Sequence, residues 1–203
     1  RIYTLNLPPP CPKDGGHLSI LVIPSPCVEE MTMKFDSIEQ IRNEGFIGFR
    51  TTGDLYECSN YVPDERGIYM VIYPYGSLPK FMVKGTGGYF KKKDPNMDLD
   101  YLINRWVKET PVLYIGQAGG IRKAKWSDAT LRKRITAYVK FGNGHDVGHY
   151  GGRLIWQIPN NAKLIVCWKP LPNKIADPRQ VEKDIIGMFE DIYEKRPFAN
   201  IDA

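Results

Sequence analysis

On a helical wheel turning about 100° per residue, Val181, Ile185, Ile186, Met188, Phe189 and Ile192 define one apolar arc. Glu182 falls inside that arc, while Glu190 and Glu194 fall outside it. A carboxylate on a core-facing arc is costly unless a cation pairs with it or it binds a metal. In Leu131-Arg132-Lys133-Arg134-Ile135 the same wheel sets Arg134 beside an apolar stripe, between Tyr138 and Phe141. Lys133 points away and Arg132 lies on the other flank. Arg134 is then a surface arginine, the partner of Glu182, or a group that holds an anion. Tyr138, four residues on, shares its face.

Residues 120–153 carry Arg122, Lys123, Lys125, Arg132, Lys133, Arg134, Lys140 and Arg153 against only Asp128 and Asp146. This block favours a polyanionic partner such as nucleic acid over the plainer reading of a solvated basic face. His145 and His149 stand four apart in a stretch also holding Gly144, Gly148, Gly151 and Gly152. The glycines make this a loop, and no cysteine or carboxylate cluster supplies further zinc ligands. The histidines therefore read as loop residues, inert or contacting nucleic acid together with Tyr150 and Arg153. Trp106, Trp126, Trp156 and Trp168 read as core, although Trp126, in the basic segment, could stack on a base.

These side chains need a scaffold, and the pattern around them supplies one. The β-branched and aromatic run 68–73, stopped by Pro74 and Gly76, predicts a strand, and 111–116 predicts a second. Asp36 or Ser37 caps a short helix ended by Gly45, and a loop follows as far as Gly67. Residues 76–98 read as a hairpin or long insertion, and 99–107 as a short helix. Ser127 or Asp128 caps a helix to about Phe141, with Leu131, Ile135, Tyr138 and Val139 as its core stripe. Residues 153–158 and 163–168 read as an antiparallel hairpin. Asp177 and Pro178 open the last helix, with Gln180 completing a capping box. The class is α+β: a small, mostly antiparallel sheet flanked by helices.

The chain has 203 residues, 42% of them hydrophobic and 25% charged, which fits one ordinary globular domain and excludes disorder. Its longest apolar run, 18–23, falls far short of the roughly 20 residues of a spanning helix, so no membrane role is expected. Cys11, Cys27, Cys58 and Cys167 show no Cys-x-x-Cys spacing and no leader precedes them, which points to a reducing, cytoplasmic setting. The proline-rich residues 1–33 read as a peripheral N-terminal extension carrying one short strand over 18–23. The functional domain is expected over 34–203.

Gly67-Ile68-Tyr69 on one strand, Tyr114-Ile115-Gly116 on the next, Arg134 on a helix, Glu182 on a later helix and Asn200 after Pro197 together resemble the GIY-YIG nuclease family. The resemblance covers about residues 66–200. It implies a metal-dependent DNA endonuclease. In that reading Tyr69 orients or deprotonates the attacking water, with Tyr114 hydrogen-bonded beside it, and Arg134 holds the scissile phosphate with Tyr138 next to it. Glu182 ligates Mg2+ (or Mn2+), and Asn200 matches the family's terminal asparagine. Arg122, Lys123, Lys125, Arg132, Lys133, His149 and Arg153 are the expected DNA contacts, and no small-molecule cofactor is implied.

This chain departs from the family at two places where relatives carry a proton-accepting Lys or His: it has Gln117 and Tyr138 there. Lys123 or Lys125 is the available substitute. An unperturbed phenol titrates near about 10, so a base role for Tyr69 requires a neighbouring cation. The alternatives are a module of the same fold that binds nucleic acid without cleaving it, and a protein-interaction domain with an incidental basic patch.

Overall fold

The run around Tyr69 becomes the central strand. In β2 (Gly67–Ile72) every residue is buried, which demands a partner on each edge and cover on each face. In the computed structural model, which describes residues 33–172, 174 and 176–201, β3 (Val112–Ala118) and β6 (Ile165–Pro170) supply the two edges. β1 (Ile47–Thr51) pairs with the far side of β6, giving an antiparallel sheet of order β1-β6-β2-β3. The chain is an α+β protein whose four-stranded sheet is flanked by helices.

Strand alternation sends Ile68, Met70 and Ile72 to one face of the sheet and Tyr69 and Val71 to the other. The first face packs on Ile41 of α1 (Ile38–Asn43) and on Ile185, Ile186 and Phe189 of α5 (Pro178–Tyr193). The second packs on Leu55 of α2 (Thr52–Glu57) and on Leu131, Ile135, Tyr138 and Val139 of α4 (Leu131–Gly142). A short α3 (Leu99–Arg105) leads back toward β3. Among the described residues no helix is long and apolar enough to cross a membrane.

Several expectations are corrected here. The stretch expected as loop between Gly45 and Gly67 contains β1 and α2. Gly48 hides the strand: its φ is +95°, and a Cβ there would lie 2.3 Å from the Trp168 ring, so the tryptophan crosses the backbone where a side chain would stand. Residues 153–158 do not form half of a hairpin. Arg153–Gln157 is a 3-10 turn in which Leu154, Ile155, Trp156 and Gln157 are all buried, and a short apolar run does not by itself distinguish strand from buried turn. The segment expected opposite it, now β6, pairs with β1 and β2 instead. Thr130 caps α4, its hydroxyl accepting from Lys133 N–H at 3.3 Å, in place of Ser127 or Asp128. Asp177 and Pro178 open α5 as expected, but the Gln180 amide donates to Asp184 rather than closing a capping box.

The 76–98 insertion holds only one 3-10 turn, Phe90–Lys92. It is fastened by the Gln157 amide, which accepts from Met97 N–H and donates to the Met82 and Met97 carbonyls. The strand expected over 18–23 lies outside the described residues. Met33, placed in the extension by its sequence, is 5% exposed within the core.

Candidate functional site

The antiparallel register sets Tyr69 directly opposite Gly116. A Cβ on Gly116 would lie 2.5 Å from the Tyr69 ring and 2.8 Å from that of Tyr114, so the missing side chain is what lets the two rings meet. Gly67 is equally constrained, since a Cβ there would come within 2.3 Å of the Lys169 carbonyl oxygen. The glycines of both tripeptides thus have steric causes. The Tyr69 and Tyr114 ring centroids stand 5.9 Å apart, and Tyr138 stacks on Tyr114 at 6.0 Å.

Tyr69 is wholly buried, and its hydroxyl lies 3.1 Å from His149 Nε2. The other ring nitrogen, Nδ1, is 3.1 Å from the Gly151 carbonyl oxygen. A carbonyl only accepts, so Nδ1 carries the hydrogen, Nε2 is bare, and the Tyr69 hydroxyl donates to it. Burial pushes the imidazole down to about 3, with Arg134 acting in the same direction and the Gly151 carbonyl against it. His149 is therefore neutral at physiological pH. Its expected contact with nucleic acid is corrected: it is 1% exposed, with both nitrogens engaged inside the protein. His145 parts from it and meets the Tyr56 hydroxyl at the surface.

Burial raises the Tyr69 phenol well above its ordinary value; Tyr114 adds to this and Arg134 only partly offsets it. Tyr114 is pushed up to about 12, again by burial first and Glu182 second, while Arg134 and then the neighbouring Tyr69 oppose the rise. A phenol that titrates upward is not a ready base. Tyr138 is fully buried behind the pair, and its hydroxyl has no hydrogen-bond partner among the described residues. It packs on His149 and Trp156, each at 4.8 Å, so it backs the site rather than facing a ligand.

Tyr114 forms part of the wall of a cavity of about 540 Å³. Glu182 and Asn200 line it, as do four cations, Arg153, Arg179, Lys183 and Arg196. Burial lifts the Glu182 carboxyl to about 7 even though Arg179 and Arg134, followed by Arg196 and Lys183, pull it down. Among the described residues no ion pair joins Glu182 to Arg134, so the pairing that could have explained a carboxylate on the core-facing arc is not made. Half-buried Arg134 is the one charge that acts on Tyr69, Tyr114, His149 and Glu182 alike. Arg153, which lines the cavity, sets its guanidinium over the Tyr150 ring at 4.2 Å.

Asn200 does not offer its amide to the cavity. Its Oδ1 accepts from Ile115 N–H at 2.9 Å and its Nδ2 donates to the Ile115 carbonyl at 2.7 Å. It completes the hydrogen bonding along the outer edge of β3, where Ala199 N–H already pairs with the Leu113 carbonyl at 2.8 Å. Asn200 therefore positions the strand that carries Tyr114.

Arg122, Lys123 and Lys125 are exposed on a two-residue hairpin, β4 (Ile121–Arg122) with β5 (Lys125–Trp126). Lys123 and Ala124 take φ of 48° and 58°, the left-handed pair such a turn requires, without the Asn-Gly that normally signals it. Asp177 both caps α5 and accepts from Ile121 N–H at 2.9 Å, tying this hairpin to the helix that bears Arg179, Glu182 and Lys183. Trp126 is covered by the Arg66 guanidinium at 5.2 Å. On α4, Arg132 donates to the Val62 carbonyl and exposed Lys133 to that of Asp128.

The sequence reading missed Arg179, Lys183 and Arg196. Arg179 precedes Glu182 by three positions and so shares its face, a signal that was available; Arg196 had none. A larger cleft, about 870 Å³, lies where β2 ends and β3 begins, among Tyr73, Tyr75, Leu78 and Trp106. Its charged residues are Asp36, Lys108 and Glu109, so it lacks the convergent cations of the smaller cavity. Comparisons with protein-family models, with curated proteins and with solved structures find no match to this chain.

Proposed function

We propose that the chain is a metal-dependent DNA endonuclease related to the GIY-YIG nucleases. What carries the reading is one juxtaposition: the two tyrosines of separate tripeptides in ring contact beside a cavity that also gathers Arg153, Arg179, Lys183 and Arg196 around Glu182. Hydrolysis of a phosphodiester requires an oriented water and compensation for the charge that grows on the phosphoryl oxygens. Arg134, permanently charged and acting on Tyr69, Tyr114, His149 and Glu182 alike, holds the scissile phosphate together with Arg153 of the cavity wall. Tyr114, at the wall, orients the water, and Tyr69 orients Tyr114 from behind.

Glu182 suits Mg2+ (or Mn2+). It is a half-buried carboxylate with no ion pair to Arg134, and such an ion is held by one or two carboxylates plus water and phosphate oxygens. Among the described residues no cluster of three or more His, Cys, Asp or Glu could hold a metal instead. When bound, the ion supplies positive charge next to the reacting phosphate.

A second reading, DNA binding without cleavage, is favoured by one observation: the Tyr69 and Tyr114 phenols are raised rather than lowered. The protein incubated with supercoiled plasmid in Mg2+ or in EDTA separates the two. Relaxed or linear product with Mg2+ alone supports the enzyme, and retarded but intact plasmid supports the binding module.

A further inference from the structure

We infer that His149 is a positioning residue for the tyrosine pair: by accepting the Tyr69 hydrogen at Nε2, it holds in place the ring against which Tyr114 stands at the cavity wall. The catalytic consequence rests on the endonuclease reading; the hydrogen-bond direction does not.

The arrangement starts at a group with no freedom. Gly151 offers a carbonyl, which only accepts, so His149 Nδ1 must carry the imidazole hydrogen and Nε2 must be bare. Tyr69 then has one choice, to donate inward across 3.1 Å. With its single hydrogen committed, the Tyr69 ring is held with its centroid 5.9 Å from that of Tyr114, which lines the cavity. A loop imidazole thus fixes the ring on which Tyr114 rests.

Local packing holds the arrangement. The His149 ring meets Tyr138 at 4.8 Å. Gly152, at φ +75°, lies where a Cβ would stand 3.3 Å from Tyr138 and 3.4 Å from Tyr114. The same loop continues into Arg153 at the cavity wall. Burial and Arg134 keep the imidazole neutral, so it accepts a hydrogen bond without taking the proton.

Two variants divide the ring's two bonds. H149Q places an amide oxygen near the position of Nε2 and can still accept from Tyr69, losing the Gly151 bond. H149N keeps a donor near Nδ1 for Gly151 and has nothing at Nε2. Cleavage of plasmid at saturating protein and Mg2+ is expected to fall on the order of 100-fold in H149N and by much less in H149Q, with plasmid affinity unchanged in both. If His149 only anchors its loop, the order reverses, and that result, or wild-type rates in H149N, overturns the inference. Nitrogen-15 shifts of His149 in the wild-type protein supply a readout independent of activity and of variant folding. The expected result is hydrogen on Nδ1, with the Nε2 signal displaced by Y69F; hydrogen on Nε2 overturns the assignment. Should wild-type protein cleave no DNA while the nitrogen shifts are as expected, the endonuclease reading fails and the hydrogen-bond assignment stands.

Discussion

Glu182 and His149 are pushed by burial in opposite directions, and each leaves a distinct mark on stability. With its carboxyl lifted to about 7, Glu182 holds its proton more tightly in the folded chain than in the unfolded one. The stability this gives is complete below the ordinary value of 4.5 and is lost as pH rises through about 7. His149, lowered to about 3, contributes stability that is present above its ordinary 6.5 and is lost as pH falls. E182Q removes the first dependence. Its melting temperature without metal is expected to exceed that of the wild type at pH 8 and to converge with it near pH 4, while Mg2+-dependent cleavage disappears. A temperature difference that does not change with pH contradicts the burial of that carboxylate. At Tyr69 the hydroxyl has a defined partner, so Y69F leaves His149 Nε2 buried and unbonded at a cost of about 1–3 kcal/mol. Denaturant titration should show that loss, and the plasmid assay a fall on the order of 100-fold.

Among the elements, β3 carries the most constraint, because Gly116 must leave room for Tyr69 and Ile115 is held at the edge by Asn200. G116A drives a methyl group to 2.5 Å from the Tyr69 ring, and overpacking of this kind costs about 1–3 kcal/mol. Gly187 provides the contrast. It sits inside α5, and a Cβ there would meet no atom within 4 Å, so G187A should stabilise by about 0.5–1 kcal/mol through helix propensity alone. Denaturation midpoints of the two variants are expected to move in opposite directions, and a gain from G116A would mean that the tyrosine pair does not depend on the glycine. Helices α4 and α5 were readable because their stripes are periodic over several turns, whereas six-residue α2 has no such length. β1 was not, since Gly48 exists to admit Trp168, a residue far along the chain.

For the molecule as a whole, charge is arranged at two distances from the candidate site. The β4–β5 hairpin displays Arg122, Lys123 and Lys125 to solvent, while Arg134 sits half-buried among the tyrosines, His149 and Glu182. Neutralising Lys123 and Lys125 should weaken DNA binding similarly across sequences and flatten its salt dependence by about one unit of log–log slope per lost phosphate contact. R134A should instead slow cleavage of DNA already bound far more than it lowers affinity. Binding isotherms over a range of salt, set beside single-turnover cleavage, test both. An unchanged slope in the Lys123 and Lys125 variant would reduce the hairpin to a solvated face.

The sequence by itself determined what depends on neighbours in the chain: the strand around Tyr69, the stripes of α4 and α5, the Asp177 cap, and a glutamate on a core-facing arc. It also set the two tripeptides in an order that resembles a known site. The tertiary structure decided what depends on residues far apart. Tyr69 meets His149 across 80 positions, Asn200 reaches Ile115 across 85, and β6 takes β1 and β2 as partners rather than the segment just before it. A glycine-rich loop carries no periodicity from which burial of its histidine could be read. That histidine is inside because the antiparallel register of β2 and β3 aims the Tyr69 hydroxyl at it, and burying that hydroxyl without an acceptor would have been costly.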